Sequence, residues 1–550
     1  MKRFLLYYHT IKHLKLKQIL FQLKYRLIKP KIKSCSRGKV LRRNLQLSFP
    51  VRGKASWNSE YNASFLNQTK LVNTEKKWDV NASALWLYNL HYFDDLNVAE
   101  SAKTVPFYSR LIDNWILTVS HDSHSVALDP YPSSLRLVNW CKYIWRHNIK
   151  NENWNRSIYE QSNLLARKLE YHLLANHLFA NGKALIFVGV FLEEKLGRKL
   201  LGLGLNIIKQ QVAEQFLPDG GHFERSPMYH NILLWDLLDL IFLAKKSQGL
   251  ITESHINIWQ ETAVKALNWM DAMEHPDGGI AFFNDSTLSV APTGEEIKSF
   301  AKLLGLEANW GKNAPDNVFY LKNSGFISVV KPLYKLIADI GDVSPRYQPG
   351  HSHAETLSFE LSVRGKRVFV NSGISQYGND AKRQLQRATK SHNTLIPNNS
   401  NSSQVWGGFR VAKASKVEQV SVNSEESVID CTIRGFWDLN RKGNSHNRRF
   451  SMHEDGFSIY DKISEDGLSC VVIFKLHPDI KVLKNSEDSV LLSVDEHAEI
   501  SMSTEGGKIK IIDSTWYPSF GHEVPTKTVL INVDAQNLET NIRINNARNQ

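Results

Sequence analysis

The sequence predicts a multi-domain α + β protein: a helical N-terminal half, then a half of antiparallel strands packed as a sandwich. Three observations predict it. From about residue 105 to 310, apolar residues recur three and four apart. After about residue 316 they alternate with polar ones every second residue. The length of 550 residues, 42% of them hydrophobic, exceeds what a single core normally supports.

The N-terminal arm comes first. Residues 1–50 hold 14 Lys and Arg and no Asp or Glu, so the net charge of +13 belongs to this segment. Its apolar stretch FLLYY is interrupted by His9 and Lys12 and lacks a small-residue cleavage site, so a secretory signal is not expected. The longest apolar run, ALIFVGVFL, is about half of the roughly 20 residues a spanning helix needs and reads as core. The arm suits an anionic lipid surface or an acidic polymer, or else a docked and solvated basic helix. No DNA- or RNA-binding motif accompanies it, so nucleic acid is not an expected partner. Cys35, Cys141, Cys431 and Cys470 lie far apart with no CxxC pair, which excludes a disulfide framework and a zinc ribbon.

In the helical half, SIYEQSNLLARKLEYHLLANHLFANGKALIFVGVFLEEKLG carries long helical periodicity with Gly-containing breaks. HNILLWDLLDLIFLAKKSQG is a further helix, stopped by Lys245, Lys246 and Gly249. One internal echo stands out: LPDGGHFERSP at 217–227 and HPDGGIAFFNDS at 275–286, 58 residues apart. That spacing equals two helices with their turns and suggests helical hairpins around an axis, although Asp-Gly-Gly is also ordinary turn chemistry. Beyond residue 316, TLSFELSVRGKRVFVNSG alternates Leu357, Phe359, Leu361 and Val363 with polar residues and turns at Gly365-Lys366, a β-hairpin. GFSIYDKI, SCVVIFKL, KIKIID and KTVLINV continue the pattern. A cleft between two such halves is where a large ligand would bind.

Candidate chemistry gathers at a few points. In PGHSHAETLSFEL, His351 and His353 are two apart and project to one face of an extended chain. With His392 farther on, they could hold a metal or organise acid–base chemistry. Asn176 and His177 interrupt an apolar helix and need partners. DGGHFERSPMYH packs Asp219, His222, Glu224, Arg225, Tyr229 and His230 together. Taken singly, each of these reads as a cap or a satisfied core hydrogen bond; their density points to a site.

NHLFANGKAL, DGGHFERSPMYH, GHSHAETLSFEL, VFVNSG and RATKSHNTL, in that order, resemble the heparinase II/III-like polysaccharide lyase family. The resemblance extends over most of the chain and includes the N-terminal LYYHTIKHLKLKQILFQL, which is similar to members linked to bacterial surface-polysaccharide clusters. It implies an incomplete (α/α) toroid followed by an antiparallel β-sandwich, with a basic segment at 1–55, the toroid at 56–315 and the sandwich at 316–550. The implied activity is β-elimination on an acidic, uronate-containing polysaccharide. Removing the C5 proton requires neutralising the neighbouring carboxylate, a base for the proton and an acid for the leaving O4. The family's Asn, Tyr and His match Asn176, Tyr229 and His351, with His177, Arg225 and Arg387 expected to bind substrate. Tyr229 needs its pKa of roughly 10 lowered to act as a base, and Arg225 is the expected cation.

The family's metal ligands match His353 and His392, but Asn371 stands where an Asp is expected. A divalent metal such as zinc is therefore expected to be weakly held, to use Glu355 instead, or to be absent. The resemblance places the protein in the cell envelope or periplasm, whereas the missing signal points to the cytoplasm. Two other classes remain open. An inverting glycoside hydrolase would pair two of Asp219, Glu224, Asp277 and Asp285; a non-catalytic polysaccharide-binding or assembly factor would keep the cleft without the chemistry.

Overall fold

The computed structural model describes residues 2–35, 40–57, 61–76, 78–99, 105–119, 125–193, 195–308, 318–534 and 536–546. Helices α1 (Lys2–Ile11) and α2 (Leu16–Leu27) lead the chain, followed by a hairpin of Asn62–Phe65 with Gln68–Leu71. The helical half then runs through α3 (Ala84–Leu90), α4 (Val105–Thr118), α5 (Pro130–His147) and α6 (Glu152–Leu165). It continues with α7 (Ala175–Phe191), α8 (Lys195–Gln215), α9 (Pro227–Lys246), α10 (Glu253–Met273) and α11 (Gly294–Leu303). The next described strand begins at Val318; the expected boundary at 315/316 lies outside the described residues.

Local sequence explains these elements. The run ALIFVGVFL is the buried second half of α7, and among the described residues no helix is long and apolar enough to cross a membrane. Glycines let α8 lie directly on α7. A Cβ at Gly204 would come 2.8 Å from the Gly182 carbonyl oxygen, and one at Gly189 would come 2.6 Å from the Leu201 nitrogen. Helix α9 opens on Ser226, whose hydroxyl accepts from the Tyr229 N–H at 3.2 Å, with Pro227 in the first turn and Lys245 and Lys246 in the last.

The two Pro-Asp-Gly-Gly segments fold into the same turn. The Leu217 N–H donates to the Gly221 carbonyl and the His275 N–H to the Gly279 carbonyl, both at 2.8 Å. Asp219 and Asp277 each accept from the N–H two residues on. Gly220 and Gly278 take φ of +89° and +79°, a region that favours glycine. Between the turns lie α9 and α10, the two helices that the spacing predicts.

The second half is antiparallel throughout its paired strands. A five-stranded sheet keeps chain order: Val318–Leu321, Phe326–Val330, Tyr334–Asp339, Phe359–Val363 and Lys366–Phe369. An eight-stranded sheet runs from Lys416–Asn423 at one edge to Lys481–Asn485 at the other, and a four-stranded sheet contains Cys470–Lys475 and the long pair Gly507–Ser519 and His522–Val533. Alternation along the five-stranded sheet serves two cores. Ile327, Val329, Leu336, Leu361 and Val363 face the other strands, while Leu321, Phe326 and Ile337 pack on Trp269, Ala272 and Met273 of α10. The polar positions of Phe359–Val363 are buried as well as the apolar ones. His275 explains this: its ring bonds Ser362 Oγ at 2.7 Å and Glu360 Oε2 at 2.9 Å, so the helical half covers that face.

Candidate active site

Three loops meet where the halves touch: 222–226 after the first turn, 283–286 after the second, and 349–355 before the strand at Phe359. Hydrogen bonds stitch them together. The Asp285 N–H donates to the His351 carbonyl (2.9 Å), the His353 N–H to Asn284 Oδ1 (3.0 Å), and the Asn284 amide to the Arg225 carbonyl (2.9 Å). Ser226 Oγ donates to the Asp285 carbonyl at 2.7 Å.

Asp285 is the centre of the arrangement. Its Oδ2 contacts His351 Nδ1 and its Oδ1 contacts His353 Nε2, each at 2.8 Å. Arg383, from the short helix α12 (Ala381–Arg387), grips both oxygens at 2.5 and 2.7 Å. Burial opposes the charge on Asp285, but Arg383 and the two histidines hold its carboxyl well below the usual range. An ionised carboxylate only accepts, so each histidine donates from the nitrogen that faces it. That leaves His351 Nε2 and His353 Nδ1 with lone pairs in the neutral rings.

Tyr229, in the first turn of α9, lays its ring against His351 with centroids 4.0 Å apart and planes tilted by 32°. Its hydroxyl shares a 2.9 Å hydrogen bond with that of Tyr377. Burial, then the neighbouring Tyr377, pushes the Tyr229 phenol well above its ordinary value. Arg225 does not supply the expected lowering. Its guanidinium donates to the carbonyls of Ser324 (2.5 Å), Asp342 (2.6 Å) and Gly325 (3.1 Å) and pairs with Asp339. The structure gives it the job of tying the helical half to the five-stranded sheet. Arg387, also expected at the substrate, is fully buried and donates to the carbonyls of Ser352, Gly407 and Arg410, which clamps the His351 loop from behind.

Asn176, buried in the first turn of α7, lies close enough to the Tyr131 side chain to favour its ionised form. Tyr131 packs on His177 with centroids 4.5 Å apart and is close enough to Tyr229 to add to the rise of its pKa. His177 is held by Glu170 at 2.9 Å; burial disfavours its charge, but Glu170 outweighs this and raises its pKa. Asn176, His177, Tyr229 and His351 therefore line one place, the first two on the helical wall and His351 on the sheet side. Glu224 is buried there with neither carboxyl oxygen bonded among the described residues. Burial raises its pKa despite the opposing pull of His351 and His177.

Beside this cluster, His353, Glu355 and His392 bring one ligand atom each within 4.8 Å of one another, all buried. His353 Nδ1 and His392 Nε2 lack a hydrogen-bond partner among the described residues, while His392 Nδ1 lies 3.2 Å from Glu355 Oε2 without hydrogen-bond geometry. The Glu355 carboxyl is pushed well up by burial and then by Asp339, and the His392 ring well down by burial. Two imidazole nitrogens and a carboxylate oxygen are a donor set that suits zinc, and orphaned ligand atoms aimed at one another fit a bound cation. The carboxylate is Glu355; at the position of the expected Asp, Asn371 instead accepts from the Asn393 N–H at 3.4 Å and donates its own N–H to Glu360.

Sequence reasoning named Asp285 only as a possible hydrolase carboxylate, named Glu224 both so and within the DGGHFERSPMYH cluster, and missed Arg383 and Tyr377. A signal existed for Asp285: the echo places its segment where the first copy places DGGHFERSP.

Residues 152–307 match the family described as Heparinase II/III N-terminus, and residues 313–545 match Heparinase II/III-like, C-terminal. The chain belongs to the heparinase II/III-like family. A curated heparinase II/III-like relative, the heparin-sulfate lyase of Pedobacter heparinus, is 25% identical over 274 residues, covering 44% of this chain and 39% of that protein. The match thus spans about two fifths of the relative's length. Two solved structures share the fold. A crystal structure of heparinase III gives a TM-score of 0.67 at 15% identity, covering 97% of this chain and 86% of that one. The heparan sulfate lyase of Pedobacter heparinus gives 0.60 at 15% identity, covering 97% and 88%.

Proposed function

We propose that this chain is a polysaccharide lyase that cleaves an acidic, uronate-containing polysaccharide by β-elimination, serving bacterial surface or capsular polysaccharide metabolism at the cell envelope. Its helices 56–315 would form the incomplete (α/α) toroid and residues 316–550 the β-sandwich. The observation that carries the reading is the Tyr229–His351 pair, a protonated phenol stacked on an imidazole whose far nitrogen Asp285 leaves free to accept. Elimination needs these two groups: one to take a proton and one to give one.

In the proposed reaction His351 Nε2 takes the C5 proton, and the electrons of that bond form the C4–C5 double bond. The C4–O4 bond breaks as the Tyr229 hydroxyl gives its proton to O4. A phenol whose pKa is raised by burial stays protonated until the leaving oxygen needs it. Asn176 donates to the uronate carboxylate as charge builds on it, and Glu224, whose protonated form burial favours, would be a second donor. His177 binds substrate from the same wall. Arg225 and Arg387 hold the loops that carry this machinery.

His353, Glu355 and His392 would hold a divalent metal, zinc by donor type, which when bound supplies a fixed positive charge that locks the 349–355 loop. The same set leaves little for a hydrolase. Asp219 is bonded to Ser324, Asp277 to Arg367, and Asp285 to three side chains, so of these and Glu224 no two remain free to work as a pair on a glycosidic bond.

The test is incubation with heparan sulfate, chondroitin sulfate and a bacterial acidic capsular polysaccharide, followed by ultraviolet absorbance and mass analysis. Unsaturated products that disappear, by a factor of about 10² to 10⁴, in Tyr229→Phe and His351→Ala support the proposal. Full eliminative activity in both variants removes the residue assignment. Hydrolysed products without absorbance, or binding without any cleavage, replace the reaction.

A further inference from the structure

Helices α1 and α2 are not extended from the body; they lie across it. Tyr7 meets Trp406 edge-on at 4.8 Å, and Thr10 takes the Trp406 indole N–H at 3.1 Å. Tyr25 donates to the Leu169 carbonyl at 2.6 Å, Phe21 packs on Tyr171, and Lys15 pairs with Glu214. The first helix thus rests on the strand half and the second mainly on the helical half, with Gln18 donating to the Tyr347 carbonyl at 3.3 Å.

The faces used for this docking are unusual. A helix turns by roughly 100° per residue, so on α2 the inward side chains Gln18, Phe21 and Tyr25 share one side. Leu16, Leu20, Leu23 and Leu27 form the stripe opposite, and they are 69, 55, 52 and 85% exposed. On α1, Phe4 and Tyr8 are likewise turned outward, 73 and 56% exposed. A helix that serves only to cover a protein turns its leucines inward. This pair docks through polar and aromatic side chains and presents its apolar stripe to the outside. The segment's own charge is of one sign, since residues 1–50 contain 14 Lys and Arg and no acidic residue.

We propose that α1 and α2 form a peripheral membrane-docking surface, whose leucine stripe enters the interface of an anionic lipid bilayer while the flanking lysines and arginines meet its headgroups. Charge selects lipid over the other occupants of an apolar stripe. A second copy of this chain would bring the same unbalanced positive segment against itself, whereas an anionic bilayer offers both an apolar layer and negative charge. The proposal is independent of the lyase reading. If both hold, docking keeps the cleft near the envelope surface, because Trp406 lies three residues before Phe409, whose ring packs on Tyr377.

The experiment is co-sedimentation of the full chain with phosphatidylcholine vesicles, with and without roughly 30 mol% phosphatidylglycerol. The same is done for Leu20→Ser/Leu23→Ser/Leu27→Ser, with circular dichroism on both proteins and light scattering for their mass. Binding to the anionic vesicles that falls about tenfold or more in the triple variant, with helicity unchanged, is the expected result. Absence of wild-type binding to anionic vesicles overturns the proposal, as does binding that the leucine changes leave intact. A wild-type dimer that the variant splits, without lipid binding, assigns the stripe to self-association instead.

Discussion

Asp285→Asn is the sharpest probe of how the site is held. The change removes one negative charge and little volume. In the wild type that charge faces Arg383 at 2.5 and 2.7 Å and two histidines at 2.8 Å, and both Asp285 and Arg383 are fully buried. Breaking a buried pair leaves the other ion uncompensated, at a cost of about 3–5 kcal/mol. The new amide would also turn a donor toward either the guanidinium or a histidine N–H. Against a total stability of about 5–15 kcal/mol this is a large fraction. In urea, with a slope of about 2–3 kcal/mol per molar, the midpoint should fall by about 1–2.5 M. Circular dichroism and tryptophan fluorescence would follow it, the latter because many of the tryptophans are buried. A midpoint within about 0.2 M of wild type would refute the view that Asp285 anchors His351, His353 and α12.

The two echoed turns differ in a way that substitution should expose. A Cβ at Gly220 would sit 2.1 Å from the Lys265 carbonyl oxygen, whereas one at Gly278 meets nothing within 4 Å. Gly278→Ala should cost only the left-handed strain of about 1–2 kcal/mol, and Gly220→Ala clearly more, compared by thermal melting. Asp461 is fully buried against Arg448 and His446; burial opposes its charge, yet the partners hold its pKa down to about 2. Its stabilisation of about 2 kcal/mol is present above pH 4 and drains away as the pH falls through 2, and Asp461→Asn should flatten that acid limb of the stability profile. Zinc content should reach one equivalent per chain and vanish in His392→Ala, with a chelator lowering the melting temperature of wild type alone. Glu224→Gln should fold as well as wild type, since burial favours the protonated form of this carboxyl; a loss of stability like that of Asp285→Asn would show it to be charged.

How much of this was legible in the sequence depends on the range of the interaction. The turns at Asp219 and Asp277, the cap at Ser226 and the stop at Lys245–Lys246 are written in contiguous residues, because local hydrogen bonds and allowed φ values decide them. Periodicity likewise separates the helical half from the stranded half, since 3.6 and 2 are properties of neighbours in the chain. Position matching brought Tyr229 and His351 into view, and the structure stacks them 4.0 Å apart.

Charge partners were not legible. Asp285 meets Arg383 across 98 residues and His351 across 66, and Arg225 reaches Asp339 across 114. An arginine reads the same in a sequence whether its guanidinium will meet a substrate or a row of backbone carbonyls. Burial decides which, and burial is a sum over distant contacts. The orientation of the leucines on α2 belongs with these. The sequence by itself determined that Leu16, Leu20, Leu23 and Leu27 form one stripe, because helix geometry is local. Only the tertiary structure decided that the stripe faces away from the body, because Gln18, Phe21 and Tyr25 find their partners on other parts of the chain.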